Sequence, residues 1–179
     1  MADTVQPVQP IEFLRGLRSV RRFTDDPVPE QAVADIFTVS RWTGSARNLQ
    51  HWAFVVVRDR DTLGRMAAAE GSAAHLAGAA LGILLVMDGS ALIAQETFDE
   101  GRLAERIALV ANAHGLESCI GWFKGPGQDE VKTLLGIPAK KLVRTVMSIG
   151  YEDTGADGAR SHPEHPRKPM AELVHEGRW

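Results

Sequence analysis

A chain of 179 residues, 44% hydrophobic and 24% charged, has the makings of one compact soluble domain with a sizeable core and not of a disordered polymer. Its formal net charge of -3 offers no surplus of cations for nucleic acid, while leaving room for a local basic pocket around one small anion. The single cysteine, Cys119, forbids an intramolecular disulfide and fits a reducing, cytoplasmic setting, and no apolar stretch approaches the ~20 residues of a membrane span.

In chain order, residues 1–9 read as a flexible arm without the apolar run of a signal peptide. Pro10 opens a short helix with Ile11, Leu14 and Leu17 on one face. Four arginines follow within eight residues, Arg15, Arg18, Arg21 and Arg22, with Ser19 among them. Such a cluster suits a solvated helix end, since cations complement the C-terminal dipole. It equally suits a phosphate, because guanidinium forks and a hydroxyl are the donors that phosphates use.

After the turn-rich 24–29, Pro29 suits the first position of a helix whose Val33, Ile36, Phe37 and Ser40 make a buried stripe. The loop 44–52 carries Asn48 and Gln50, whose amides offer a donor and an acceptor each to the edge of a heteroaromatic ring. Residues 53–57, apolar on both faces, predict a covered central strand. Asp61 is a candidate cap for a helix holding Leu63 and Met66. Residues 81–87 predict a second buried strand. The longest helix spans about 96–114, with Phe98, Leu103, Ile107 and Val110 inward and Gly115 as its stop. Strands are predicted at 118–123 and 142–151, separated by a helix over 129–135, and 152–169 reads as a linker before Met170, Leu173 and Val174. Four strands interleaved with helices indicate a layered α/β or α+β domain, without fixing strand order.

Several competing signals carry little. Gly125-Pro126-Gly127 lacks the third glycine of a dinucleotide loop, and Asp129 and Glu130 would repel a phosphate there, so it reads as a turn. Prolines at 163 and 166 prevent His162 and His165 from sharing a helical face, so no metal site is expected. Cys119 reads as a small core residue. No nucleophile–base set stands out, as suits a protein whose cofactor performs the chemistry.

The ordered pieces Arg18-Ser19-Val20-Arg21-Arg22-Phe23, Pro27-Val28-Pro29, Ser45-x-x-Asn48-x-Gln50-x-Trp52-x-Phe54, Gly115-Leu116-x-Ser118-Cys119, Leu135-Gly136-Ile137-Pro138, Ile149-Gly150-Tyr151 and Arg167-Lys168-Pro169-Met170-x-x-Leu173-Val174 resemble the nitroreductase family of FMN enzymes. The resemblance implies an α+β fold of three α/β/α layers, a mostly antiparallel central sheet, and a C-terminal arm crossing to a partner in a homodimer. It implies one FMN-binding domain over residues 10–179, and NAD(P)H-dependent, ping-pong hydride transfer through flavin N5 to a nitroaromatic, quinone or similar acceptor. By position it assigns Arg18, Ser19 and Arg21 to the FMN phosphate and the ribityl or pyrimidine end of the flavin, and within that set we favour Arg18 and Ser19 for the phosphate and Arg21 for the charge near the ring. Ser45, Asn48 and Gln50 fall in its flavin-side loop, the backbone around Gly121 beside the ring, and Arg167 and Lys168 in a basic pair closing on the phosphate. No protein side chain is assigned as catalytic and no metal is implied.

The sequence also departs from the family pattern. Leu17 replaces an arginine, Gly44 and His51 replace prolines flanking the flavin loop, and Glu117 replaces a glycine. Two alternatives therefore accompany the reading: a flavin enzyme of this fold with another reaction, such as dehalogenation or flavin destruction, and a flavin-binding protein without catalysis.

Overall fold

A computed structural model describes residues 10–90, 92–158 and 167–179. The expectations for residues 1–9 and for His162 and His165 lie outside them. Six α-helices, α1 (Pro10–Gly16), α2 (Glu30–Ser40), α3 (Arg60–Ala68), α4 (Ile93–Ala113), α5 (Pro126–Leu135) and α6 (Met170–Leu173), accompany four strands, β1 (Trp52–Val57), β2 (Leu81–Met87), β3 (Glu117–Trp122) and β4 (Leu142–Gly150). The strands form one antiparallel sheet in the order β1-β2-β4-β3.

Alternation along each strand sends side chains to two separate cores. Ile83 and Leu85 of β2 and Met147 and Ile149 of β4 pack against Ile36 of α2 and Leu103 and Ile107 of α4. Leu84 and Val146 face the other way, onto Leu63 and Met66 of α3, Leu76 of a 3-10 turn (Ala74–Gly78) and Val131 of α5. Helices on both faces of an antiparallel sheet make the expected three layers.

Four expectations need correction. The run 53–57 is apolar on both faces but forms an edge strand, half-buried where β2 is wholly buried. Its apolar residues are explained by layers above and below: Phe54 meets the Phe37 ring at 5.2 Å, while Val57 joins the opposite core. Asp59, not Asp61, caps α3, its carboxylate accepting the Thr62 N–H at 2.7 Å. The helix-entry prolines make the third correction: Pro29 sits one position before α2, and Pro126, expected in a turn, opens α5 three residues early. Gly125 at φ 44° makes that entry, in a conformation that favours glycine.

The fourth concerns α4. Phe98 is 70% exposed, whereas Glu96, Asp99 and Glu100 are buried. Helical phase explains this. Glu96, Asp99, Glu100, Leu103, Ala104, Ile107 and Ala111 follow one another at three- and four-residue steps on a single stripe, and Phe98 lies off it.

Candidate functional site

The arginine segment is an extended ribbon laid along the outer edge of β3. Val20 N–H donates to Ser118 O at 3.0 Å, and Ser19 bridges Ser118 in parallel fashion. Further on, Thr24 N–H donates to Tyr151 O at 2.9 Å and Asp153 N–H to Arg22 O at 3.1 Å. The start of the expected linker is therefore folded back against the ribbon. Val20 and Phe23 are buried anchors, and Gly150 lacks a side chain where a Cβ would lie 3.0 Å from the Phe23 ring. Beside these anchors, Arg18, Ser19, Arg21 and Arg22 are all exposed.

Both readings of Arg18 have a counterpart in the geometry. Its Nη1 donates to the carbonyls of Arg15 and Leu17, each at 2.7 Å, sealing the end of α1. It also lines a cleft of about 610 Å³ together with Arg15, Leu17 and Arg167. Leu17 brings no charge to that cleft, and Arg167 faces it from the C-terminal segment; Lys168 is exposed nearby in sequence but is not among the lining residues. A smaller cleft of about 190 Å³ continues past Arg18 and Ser19 to Cys119 and Ile120, with Glu105 on its wall.

Along β3, alternate residues turn their amides to the same edge. Ser118 and Trp122 use their outer carbonyls to bind Val20 and Ser72, so the outer amide between them is that of Ile120. Gly121 turns its amide toward β4, and a Cβ there would sit 2.9 Å from Ala73 Cβ and 3.0 Å from Val146 Cγ1. The backbone at 120–121 does present an amide outward, but glycine at 121 answers a packing demand on the opposite face.

Cys119 is 3% exposed, as expected of a core residue. Burial pushes its thiol up, against the pull of Arg21 and the Ser19 hydroxyl. His75 stands beside this group. Its Nδ1 lies 2.7 Å from Ser148 Oγ, which donates to Cys119 O at 3.3 Å. Burial first, and Arg21 second, hold the His75 imidazole below the ordinary histidine value, with backbone groups of Ile120 and Ser72 acting the other way. Sequence reasoning missed His75; its place is set by the 3-10 turn packing onto β3, which leaves no periodic trace.

The flavin-side loop lies elsewhere. Ser45 Oγ accepts the Gln50 N–H at 2.9 Å, and Gln50 Nε2 donates to Asn48 O at 3.1 Å. Arg47, Asn48 and Gln50 all hold left-handed backbones, with φ of 55°, 56° and 51°. Non-glycine residues in that region cost on the order of 1 kcal/mol or more each, and such clusters persist where function or tertiary contacts require them. The loop leads into β1 at Trp52, level with Met87 and Leu142, whereas the ribbon meets β3 at Ser118, level with Ile149 and Leu81. Ser45, Asn48 and Gln50 thus sit at the opposite corner of the sheet from Arg18, Ser19 and Arg21. Four strand spacings, roughly 19 Å, separate them across the sheet, and roughly 20 Å along it.

The buried acids of α4 hold the surroundings of this loop. Burial alone would raise the Glu96 carboxyl, but the Ser90 hydroxyl and the N–H groups of Ser90 and Gly89, both at 2.9 Å, outweigh it and lower the value. Glu100 pairs with Arg144 of β4, whose guanidinium lies 5.4 Å from the centre of the Trp122 ring. Asp99 holds Arg102 at 3.3 Å. His51, 8% exposed, places Nδ1 at 3.4 Å from Asp88, which meets Lys141 at 2.6 Å. A cavity of about 850 Å³ between α3 and α5 is lined by Arg65, Asp129 and Glu130 and shares no residue with the basic cleft at Arg18. Its two carboxylates against one arginine disfavour an anionic ligand there. The chemistry therefore points to the β3 edge.

The model of the nitroreductase family matches residues 14–102. A putative NADH dehydrogenase/NAD(P)H nitroreductase of Archaeoglobus fulgidus is 30% identical over 79% of this chain and 84% of its own length. The NADPH-flavin oxidoreductase of Vibrio harveyi is 26% identical over 94% of this chain and 74% of its own. In structure, an FMN-dependent nitroreductase of Clostridium difficile superposes with a TM-score of 0.77 at 23% identity, over 94% of this chain and 99% of that one. With its ribbon, edge strand and loop in the order that the sequence motifs describe, the chain belongs to the nitroreductase family.

Proposed function

We propose that this protein is a cytoplasmic, FMN-dependent NAD(P)H oxidoreductase of the nitroreductase type, with residues 10–179 as its flavin-binding domain. The observation that carries the reading is the outward row Arg18, Ser19 and Arg21 on the open edge of β3, with Arg167 across the cleft. The donors fit the group: guanidinium and hydroxyl for a phosphate, a cation and an outward amide for the polar side of an isoalloxazine ring. The relatives add the activity. They are named for NADH, NADPH, flavin and nitro substrates.

When bound, FMN would supply the redox chemistry that couples oxidation of NAD(P)H to reduction of a nitroaromatic, quinone or similar acceptor. The chain's own residues bind and orient. Arg18 and Ser19 would hold the phosphate, with Arg167 and Lys168 beside it. Arg21 would set a positive charge where negative charge accumulates on reduction. The outward amide at 120–121 would offer the ring a hydrogen-bond donor. Asn48, Gln50 and Ser45 reach a flavin only from a second copy of the chain, since their own ribbon is at the far corner of the sheet. Exposed Met170, Leu173 and Val174 offer an apolar arm to that copy, which supports the homodimer.

Arg18→Ala should be purified largely without flavin, with FMN affinity reduced roughly ten- to hundredfold, the worth of one charge-assisted bond. The visible spectrum and an FMN titration decide it; a fully yellow variant with unchanged affinity removes Arg18 from the site. Oxidation of NADH and NADPH with a nitroaromatic or quinone acceptor tests the activity. Bound FMN without turnover would favour a flavin-binding module instead.

A further inference from the structure

The 45–50 loop contains no glycine, yet three of its residues hold left-handed backbones. Its internal bonds, from Gln50 N–H to Ser45 Oγ and from Gln50 Nε2 to Asn48 O, leave its entry at Gly44 to be set from outside. That outside group is Arg102. Its Nη1 donates to Gly44 O, the same nitrogen lies 3.3 Å from Asp99 Oδ1, and the guanidinium sits 5.7 Å from the centre of the Phe98 ring. The Asp99 side chain is 4% exposed, so the arginine is tethered to a carboxylate that the helix itself immobilises. Gly44 is shaped to admit it: a Cβ there would lie 2.9 Å from Arg102 Nη2. No positive φ sets glycine at this position; the missing side chain instead leaves room for the guanidinium tip, which a methyl group would push aside.

We propose that Arg102 is a positioning residue for the flavin loop, seated against Gly44 and tethered by Asp99 so that α4 sets the strained backbone presenting Asn48 and Gln50. The proposal rests on the FMN reading above and deepens it. It accounts for two departures in this chain together. Gly44 and His51 stand where prolines would restrict the backbone locally, and each is instead tied by a tertiary contact. Arg102 holds the entry, and at the exit Asp88 N–H donates to His51 O at 3.0 Å while Asp88 Oδ2 faces the His51 ring. Rigidity that proline supplies through its own ring is supplied here through α4 and the end of β2. The exposed Phe98 ring, off the core stripe, acquires a role as the platform under the guanidinium.

The full-length protein tests this with Arg102→Ala, Gly44→Ala and the double variant, each assayed for FMN dissociation constant and for amide hydrogen exchange over residues 44–51. Arg102→Ala should weaken FMN about tenfold and speed exchange in the loop, with β2 and β4 protected as before. Gly44→Ala keeps both Asp99 and Arg102 in the chain, so the buried carboxylate retains a counter-charge; its methyl group should push the guanidinium off Gly44 O and weaken FMN in the same direction. The double variant should be no weaker than the poorer single, because both substitutions break one contact. Arg102→Lys should recover only part of the affinity, a point donor replacing a fork. Unchanged affinity in Arg102→Ala, additive losses in the double variant, or faster exchange spread evenly through the sheet would each overturn the clamp. If the unsubstituted protein binds no FMN, the functional reading fails, and loop exchange in Arg102→Ala still decides whether Arg102 grips the loop.

Discussion

Single residues in this protein often serve two masters, and their neighbours decide which. Arg18 both seals α1 and lines the anion cleft, so removing it tests ligand binding only when flavin content is read alongside stability. His75 makes a cleaner case. Its imidazole is held below the ordinary value of 6.5 by burial and then by Arg21. As pH falls, the unfolded chain takes up this proton before the folded one. The stability it contributes is fully present above pH 6.5 and is lost as pH drops through the lower folded value. Denaturant midpoints should therefore decline as pH falls below about 7, and His75→Gln should flatten that decline. An identical slope in the variant would assign the titration to another group. An ordinary surface histidine has no such effect, and nothing in the residues flanking position 75 marks it as buried.

At the level of elements, close approach sets the design of the β3 edge. The 3-10 turn over 74–78 packs so tightly on β3 that Gly121 has no room for a methyl group against Ala73 and Val146. Gly121→Ala should cost roughly 1–3 kcal/mol by overpacking, measured by urea unfolding, and Ala73→Gly in the same chain should return part of it. A loss below detection would mean that the turn yields freely, and that β3 is less rigidly backed than the contacts imply. The same rigidity serves the site, because an amide edge held from behind keeps its outward N–H in place. In α4 the lesson concerns phase. Counting by hydrophobicity puts Phe98 in the core; counting by three- and four-residue steps from Leu103 and Ile107 puts Glu96, Asp99 and Glu100 there, which is where they are. Each acid has a partner, Ser90 and Gly89 for Glu96, Arg102 for Asp99 and Arg144 for Glu100, although one buried oxygen of Asp99 and one of Glu100 accept no hydrogen bond.

At the scale of the molecule, the two halves of the proposed flavin site occupy opposite corners of one sheet, a separation that a symmetric pair would convert into two composite sites. Subunit complementation examines this directly. Arg21→Ala and Asn48→Ala should each bind FMN poorly alone. Equal mixtures refolded together should recover about a quarter of the wild-type sites, since half the dimers are mixed and each mixed dimer holds one intact site. No recovery on mixing, with both variants folded, would place ribbon and loop at separate functions. Full activity of either variant alone would remove that residue from the site.

The motif residues from Arg18 to Val174 and the alternating apolar runs were legible in the sequence, because backbone period and local chemistry write themselves there. They determined the family, the layered class and nearly every element to within a few residues. Asp59 as a cap and Pro126 as a helix opener were within reach of local rules and were displaced only by neighbours of similar type. What the tertiary structure alone decided was adjacency: that β1 is an edge, that β3 carries the ribbon, and that Arg102 answers Gly44 across 58 residues of chain. Those facts depend on which surfaces bury each other once the sheet is assembled, and burial between distant segments leaves no period to read.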